Sequence, residues 1–89
     1  MAIVIIPATL RDFCSGASKL EGAGATIEEV LRAVDDRCPG LYARVVEGHR
    51  LRPELAFALN GEVVSLALHD TVALDTEIAI VPALGGGSL

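Results

Sequence analysis

Residues 26–38 read TIEEVLRAVDDRC, and this stretch decides the fold because it demands an apolar partner surface. Thr26 is followed three residues later by Glu29, which is the capping-box pattern of a helix start. Apolar residues then recur at helical spacing and make one stripe: Ile27, Val30, Leu31, Val34 and Cys38. Pro39-Gly40 directly after the stripe predicts the end of the helix. We therefore predict an amphipathic helix whose stripe must be covered.

Strand-like segments before and after the helix in the sequence can form the sheet that covers this stripe. They are residues 2–6, 18–21, 55–59, 62–64 and 77–82. The first is a continuous apolar run, which is typical of a strand in the middle of a sheet. Asn60-Gly61 is the preferred pair for a two-residue hairpin turn. Helix on sheet is the simplest way to bury both faces, so we predict an α+β roll with one main helix packed on a mixed four- to five-stranded sheet. Residues 41–52 are predicted to be a surface loop or a short helix, and residues 66–74 to be irregular.

Composition limits the classes of function. At 89 residues the chain makes one small domain, and a content of 52% hydrophobic but 3% aromatic residues predicts an aliphatic core. The net charge of −5 argues against nucleic acid or an anionic membrane as partner. We see no signal peptide or membrane-spanning run, so we expect a cytoplasmic protein.

The side chains that most often carry chemistry form no recognisable site. Cys14 and Cys38 lack the spacing of a metal or redox motif, so we expect two reduced thiols, with Cys38 packed in the core. His49 and His69 are isolated and are expected on the surface without a metal. No pattern of a catalytic triad, a phosphate loop or a metal site occurs. We therefore expect no enzyme activity of the chain alone and no bound cofactor.

The chain ends in Gly85-Gly86-Gly87-Ser88-Leu89. Pro82 has no N–H and suits the end of the last strand. Consecutive glycines hold no single backbone conformation, so we predict a domain over residues 1–84 and a flexible tail over residues 85–89. A tail without side chains is thin enough to enter a narrow active site of another protein. Taken alone, the same composition fits a linker or an expression remnant equally well.

Motifs over nearly the whole length resemble those of the MoaD/ThiS family of ubiquitin-like sulfur carriers. The matching segments are Ile6-Pro7 with Leu10-Arg11, Gly24-Ala25-Thr26-Ile27 with Val30-Leu31, Cys38-Pro39-Gly40-Leu41 with Tyr42, Leu59-Asn60-Gly61-Glu62, and the ending from Ile80 to Gly87. Their order and spacing are more specific than any one motif. The opening and the helix look most like the carriers that serve cysteine synthesis. The resemblance implies the ubiquitin-like β-grasp fold.

The family's chemistry implies a role for the tail. In such carriers an E1-like adenylyltransferase and sulfurtransferase uses ATP to adenylate the carboxylate of the terminal glycine. Sulfur then replaces AMP, and the resulting thiocarboxylate donates sulfide to a synthase. The resemblance places the diglycine at Gly86-Gly87 and makes Gly87 the reactive residue. Ser88 and Leu89 must first be removed, as a metalloprotease does for some members of the family.

One segment departs from the family pattern. Leu74-Asp75-Thr76-Glu77-Ile78 stands where the family has a turn that contains glycine. The departure leaves the conformation of that turn open, but it does not affect the chemistry of the tail.

Partner docking is predicted beside the tail. Pro82, Ala83, Leu84 and Gly85 follow the last strand, and Phe57 lies on another strand; all five are candidate partner contacts. Burial statistics favour a core position for Phe57. Leu84 lies past the strand and is the better surface candidate. Basic side chains are further candidates for an acidic partner, although solvated surface charge is their more common role: Arg11, Arg44, Arg50 and Arg52.

Two other functions stay open at this point. A ubiquitin-like modifier uses the same tail and activation but is joined through Gly87 to lysines of other proteins. An interaction subunit has a tail that is never activated, so the loss of Gly86 and Gly87 leaves its function unchanged. The pathway that receives the sulfur is open as well, among cysteine, molybdopterin, thiazole and specialised metabolites.

Overall fold

The computed structural model describes residues 1–83 and shows a mixed sheet with one main helix across one face. The strands are β1 (Ala2–Ile5), β2 (Lys19–Gly22), β3 (Val46–Glu47), β4 (Arg50–Leu51), β5 (Leu55–Leu59), β6 (Glu62–Val64) and β7 (Glu77–Pro82), and the helices are α1 (Ile27–Asp35) and α2 (Leu41–Val45). Five strands form the main sheet in the order β2-β1-β7-β5-β6, and β3 and β4 form a separate hairpin. This architecture confirms the predicted α+β roll.

The last strand, β7, lies in the middle of the sheet. It runs parallel to β1, with Ile3 opposite Glu77, and antiparallel to β5. The pairs β1–β2 and β5–β6 are antiparallel. Because β1 and β7 are parallel neighbours, their C-terminal ends lie at the same end of the sheet. The chain therefore leaves β7 beside the point at which β1 ends and leads to Pro7.

Helix α1 buries its apolar stripe against the sheet. The residues of the stripe are at most 1% exposed: Ile27, Val30, Leu31 and Val34. They share one core cluster with Val4, Phe57, Ile78 and Ile80 from the sheet and with Ile6, which follows β1. Within residues 1–83, Phe57 is the only aromatic side chain among the buried residues, so the core is aliphatic, as the composition predicts.

The start of α1 is capped from two directions. The Glu29 N–H donates to Thr26 Oγ1 at 3.2 Å, and the Glu29 carboxylate accepts from the Ala25 N–H at 2.8 Å. This confirms the capping box, although the carboxylate reaches one residue further back than the N-cap. The first two N–H groups of the helix donate to the carbonyls of Asp70 and Leu68. The irregular connection thus satisfies donors that a helix start leaves unpaired.

The segment after α1 is more ordered than predicted. The helix ends at Asp35, whose carboxylate accepts the Tyr42 N–H at 2.9 Å, and the chain turns before Pro39. Residues 41–52, predicted as a loop or a short helix, form α2 and then the β3–β4 hairpin. The hairpin escapes sequence analysis because each of its strands has only two residues, too few to show an alternation.

Cys14 and Cys38 form a disulfide, so the prediction of two reduced thiols is wrong. Cys14 ends a 3₁₀ helix (Ala8–Cys14) that follows β1, and Cys38 lies in the turn after α1. Packing of these two segments brings the Cα atoms within 4.5 Å although the residues are 24 positions apart, a proximity that no local spacing reveals. Both residues are buried, which confirms the predicted core position of Cys38.

Two turns adopt left-handed backbone conformations at the residues that the sequence offers. Asn60 and Gly61 have φ of 50° and 90°, which is the two-residue hairpin geometry that this pair favours. Asp75 has φ of 64° and donates its N–H to the Met1 carbonyl at 3.0 Å. Aspartate tolerates this region better than most residues do. The turn therefore forms without the glycine found in the family.

Candidate functional site

The C-terminal end of β7 is the fixed point from which the chain leaves the sheet. Pro82 is the last residue of β7 and pairs with Leu55. The Ala83 N–H donates to the Glu54 carbonyl at 2.9 Å. Pro82 cannot donate to the sheet ladder because it lacks an N–H, and its place confirms the predicted strand end. Both Pro82 and Ala83 are exposed, so a partner can reach them.

Most of the predicted tail site lies beyond this point. Leu84, Gly85, Gly86, Gly87, Ser88 and Leu89 are outside the described residues, and their roles stay predictions. Gly87 lies four positions beyond Ala83, and four extended residues span at most about 14 Å. Any active site that receives Gly87 must therefore approach the end of β7 closely.

An apolar trough lies on the sheet face opposite α1 and reaches the end of β7. We call it the outer trough. Its volume is about 570 Å³, and it is lined by Ala56, Ala58, Gly61, Val63, Ala79, Val81, Pro82 and Ala83. The trough crosses β5, β6 and β7 and includes the last two described residues. Two of the predicted contact residues, Pro82 and Ala83, therefore belong to one continuous surface.

Strand alternation decides which side chains face the trough. Phe57 is 1% exposed and belongs to the core, whereas its neighbours Ala56 and Ala58 point to the opposite face. The proposed partner contact at Phe57 is therefore wrong, and the core interpretation is confirmed. In β7 the same alternation buries Ile78 and Ile80 under α1.

Small side chains make the trough concave. Three of its lining residues on β5 and β7 are alanines, while Val63 at its rim is 67% exposed. A contiguous apolar surface on a small charged domain is typical of a protein interaction site. Sequence analysis missed Ala56, Ala58, Val63, Ala79 and Val81 as site residues. The signal available in the sequence was the alternation of small and large apolar residues at 56–58 (AFA) and 78–81 (IAIV).

Other chemistry-bearing groups do not assemble near this surface. Within residues 1–83, no group of His, Cys, Asp or Glu is arranged to hold a metal, and His49 and His69 are exposed, as predicted. A hydrogen bond of 3.0 Å from Arg32 Nε to the Glu28 carboxylate raises the pKa of Arg32; both residues lie on α1, on the other side of the sheet. In the same described range, no helix combines the length and apolarity needed to cross a bilayer.

One protein-family profile matches most of the chain. The sequence profile of the ThiS family matches residues 4–87. The match covers residues 4–83 of the described domain and continues to Gly87, where the diglycine is predicted to end. Among curated proteins, no sequence match was found.

Solved structures show the same fold. A chain in the crystal structure of the Amycolatopsis orientalis BexX/CysO complex is 32% identical, with a TM-score of 0.85 over 98% of this chain and 100% of that chain. CysO of Mycobacterium tuberculosis is 23% identical, with a TM-score of 0.82 over 93% and 99% of the two chains. The small archaeal modifier protein 1 of H. volcanii is 25% identical, with a TM-score of 0.68 over 91% and 94%. These similarities confirm the ubiquitin-like β-grasp fold.

Proposed function

Because the chain belongs to the ThiS family of ubiquitin-like sulfur carriers, we propose that it carries sulfur on the carboxyl group of Gly87. A protease, of the metalloprotease class in our proposal, first removes Ser88 and Leu89. An E1-like enzyme then joins the Gly87 carboxylate to the α-phosphate of ATP and releases pyrophosphate. Hydrosulfide from a sulfur donor displaces AMP from the acyl carbon, and the product is a thiocarboxylate.

One observation carries this proposal. The family match ends at Gly87, four residues beyond the point at which Ala83 is bonded to the rigid sheet. A thin segment on a fixed anchor can bring an acyl carbon into a closed active site. Exclusion of water from that site protects the acyl adenylate, which water would otherwise hydrolyse. The carrier is then a protein co-substrate and has no catalytic residue of its own.

The outer trough supplies the docking surface in this proposal. It begins at Pro82 and Ala83 and continues across three strands, so a protein that receives the tail meets the trough at the same time. The alanine floor fits a bulky apolar side chain from the partner. Leu84, the next residue along the chain, is proposed to extend this contact.

The sulfur acceptor is proposed to be a biosynthetic synthase. The structure with 32% identity to this chain contains CysO in complex with BexX, which supports a stable docking of such carriers on a second protein. Cysteine synthesis is the first pathway to test, ahead of molybdopterin, thiazole and specialised metabolites. Because activation of the carrier consumes ATP, we propose that the protein acts in the cytoplasm.

A modifier function is the second candidate. The chain is 25% identical to the small archaeal modifier protein 1 of H. volcanii, and activation of the same Gly87 carboxylate would serve conjugation. The two functions differ in the nucleophile that attacks the activated carbonyl carbon of Gly87. A lysine amine gives an isopeptide bond, and a sulfur donor gives a thiocarboxylate.

The test uses three forms of the chain, which end at Leu89, at Gly87 and at Gly85. Each is incubated with the E1-like enzyme of the source organism, ATP and a sulfur donor, and its mass is measured. We expect a thiocarboxylate on the form that ends at Gly87 alone. Equal behaviour of all three forms would contradict the carrier function, and Gly87-linked lysine adducts in place of the thiocarboxylate would identify a modifier.

A further inference from the structure

A second cleft lies at the end of the molecule from which the chain leaves the sheet. We call it the basic cleft. Its volume is about 260 Å³, and it is lined by Thr9, Leu10, Arg44, Arg52, Glu54 and Leu55. Two of these residues also hold the end of β7, because Glu54 accepts the Ala83 N–H and Leu55 pairs with Pro82. A protein that receives the tail must therefore come within reach of this cleft.

Arg52 is positioned but not saturated with hydrogen bonds. Its Nη2 donates to the Ala43 carbonyl at 3.2 Å. Its Nη1 is 3.9 Å from Glu47 Oε1, which is too long for a hydrogen bond. Its Nε is buried and has no partner within residues 1–83. A guanidinium has five N–H donors, so Arg52 retains donors for an acceptor that enters the cleft.

Arg44 is held without the use of its donors. Its guanidinium carbon lies 5.4 Å from the centre of the Phe13 ring, a cation–π distance. The side chain is otherwise exposed. The contact with the ring uses none of the N–H groups, and Arg44 lines the cleft. Two arginines on different elements, α2 and the segment after β4, thus present donors to one cleft.

The two ends of β7 differ in charge. Glu77 begins β7 and lies 3.9 Å from Lys19 Nζ. Asp75 precedes Glu77 and donates its N–H to the Met1 carbonyl, and Glu62 follows the hairpin turn beside β7. Three carboxylates at this end thus stand against Lys19 and the amino group of Met1. The segment beside the other end, residues 44–54, has an excess of basic residues: Arg44, Arg50 and Arg52 against Glu47 and Glu54. The basic cleft is therefore a positive area on a chain with a net charge of −5.

We propose that the basic cleft binds carboxylate side chains on an acidic surface of the E1-like activating enzyme. This inference rests on the proposed function, since it requires an enzyme that receives the tail. Arginine and carboxylate form short, charge-assisted and often bidentate pairs. A negative enzyme surface repels the acidic start of β7 and attracts the basic cleft, so the encounter is steered with the tail end first. The trough supplies apolar contact, and the cleft sets the orientation.

The test is a charge reversal in the cleft, with a matched reversal elsewhere. Arg44→Glu changes the cleft, and Arg37→Glu makes the same change in net charge at an exposed position after α1. All chains end at Gly87, and their binding to the activating enzyme is measured without ATP at low and high salt. We expect Arg44→Glu to raise Kd about 10-fold or more at low salt and to weaken its salt dependence, while Arg37→Glu changes Kd less than about 3-fold. Arg44→Gln, which removes the charge alone, should fall between them.

The outcomes separate docking from chemistry. Equal Kd values for Arg44→Glu and Arg37→Glu, or no binding of the wild-type chain, overturn the inference. ATP–pyrophosphate exchange, measured on the same complexes, tests the proposed function. If the wild-type chain binds but supports no exchange, the carrier function fails, and the arginine comparison still decides how the chain docks. Circular dichroism of each variant shows that the fold is retained.

Discussion

Reduction of the Cys14–Cys38 disulfide is expected to lower the free energy of unfolding by about 3.5 kcal/mol. The two cysteines are 24 positions apart, and a cross-link that closes a loop of this length removes about 12 cal/mol/K of chain entropy from the unfolded state. For a domain of this size each kcal/mol shifts the unfolding midpoint by roughly 4–8 °C, so reduction should lower it by roughly 14–28 °C. The effect is large because so small a domain has little other stabilisation.

The assay is thermal unfolding, followed by circular dichroism, with and without a dithiol reductant. Thiol titration of the unfolded protein verifies each redox state, with no free thiol expected before reduction and two after it. The double variant Cys14→Ala/Cys38→Ala is the control, and its midpoint should not respond to the reductant. If the wild-type midpoint is the same in both states, the cross-link does not constrain the unfolded chain. If free thiols are titrated before reduction, the disulfide itself is refuted.

Three further substitutions test individual contacts. Gly24→Ala should lower the free energy of unfolding by about 1–3 kcal/mol in urea titration, because its Cβ would lie 2.6 Å from Glu29 Cβ; unchanged stability would show that the helix start can shift. Val63→Asp should weaken binding to the activating enzyme about 10-fold, while Leu74→Asp, at a position that is also exposed but lies outside the trough, should not; equal effects would exclude the trough as the docking surface. Asp75→Val should lower the free energy of unfolding by about 1–2 kcal/mol because of its left-handed φ, whereas Asp75→Gly should not; similar losses would point to the side chain instead of the backbone.

Elements with strong local patterns could be predicted from the sequence. The capping box and the apolar stripe fix α1, because both act within a few residues of each other. Asn60-Gly61 fixes the β5–β6 hairpin for the same reason, since the turn type depends on those two residues. The two-layer packing then follows, because one apolar helix face and one apolar sheet face can cover each other.

Features that depend on distant packing could not be predicted. The disulfide forms because the 3₁₀ helix after β1 meets the turn after α1, and nothing near Cys14 or Cys38 encodes that meeting. The β3–β4 hairpin has strands of two residues, and the tertiary fold organises it. Both are consequences of the fold rather than local signals.

The candidate site includes residues with a local sequence signal and residues that only tertiary packing brings together. The roles of Gly86 and Gly87 lie outside the described residues and stay predictions; they can be proposed from the sequence because the chemistry assigned to them depends on the chain end and not on a surrounding pocket. The outer trough is built from ordinary alanines and valines, which become a site only when three strands align them. Phe57 shows the same limit, since a strand residue can be assigned to one face only after its neighbours are placed on the other.

The mass of the protein isolated from its native cells tests the central claim most directly. We predict a chain that ends at Gly87 and is heavier than the free acid by the difference between a sulfur and an oxygen atom. Such a mass shows both the removal of Ser88-Leu89 and the thiocarboxylate on the exposed glycine. A full-length chain that ends at Leu89, isolated while sulfur is being incorporated into the pathway's product, would contradict the sulfur-carrier account.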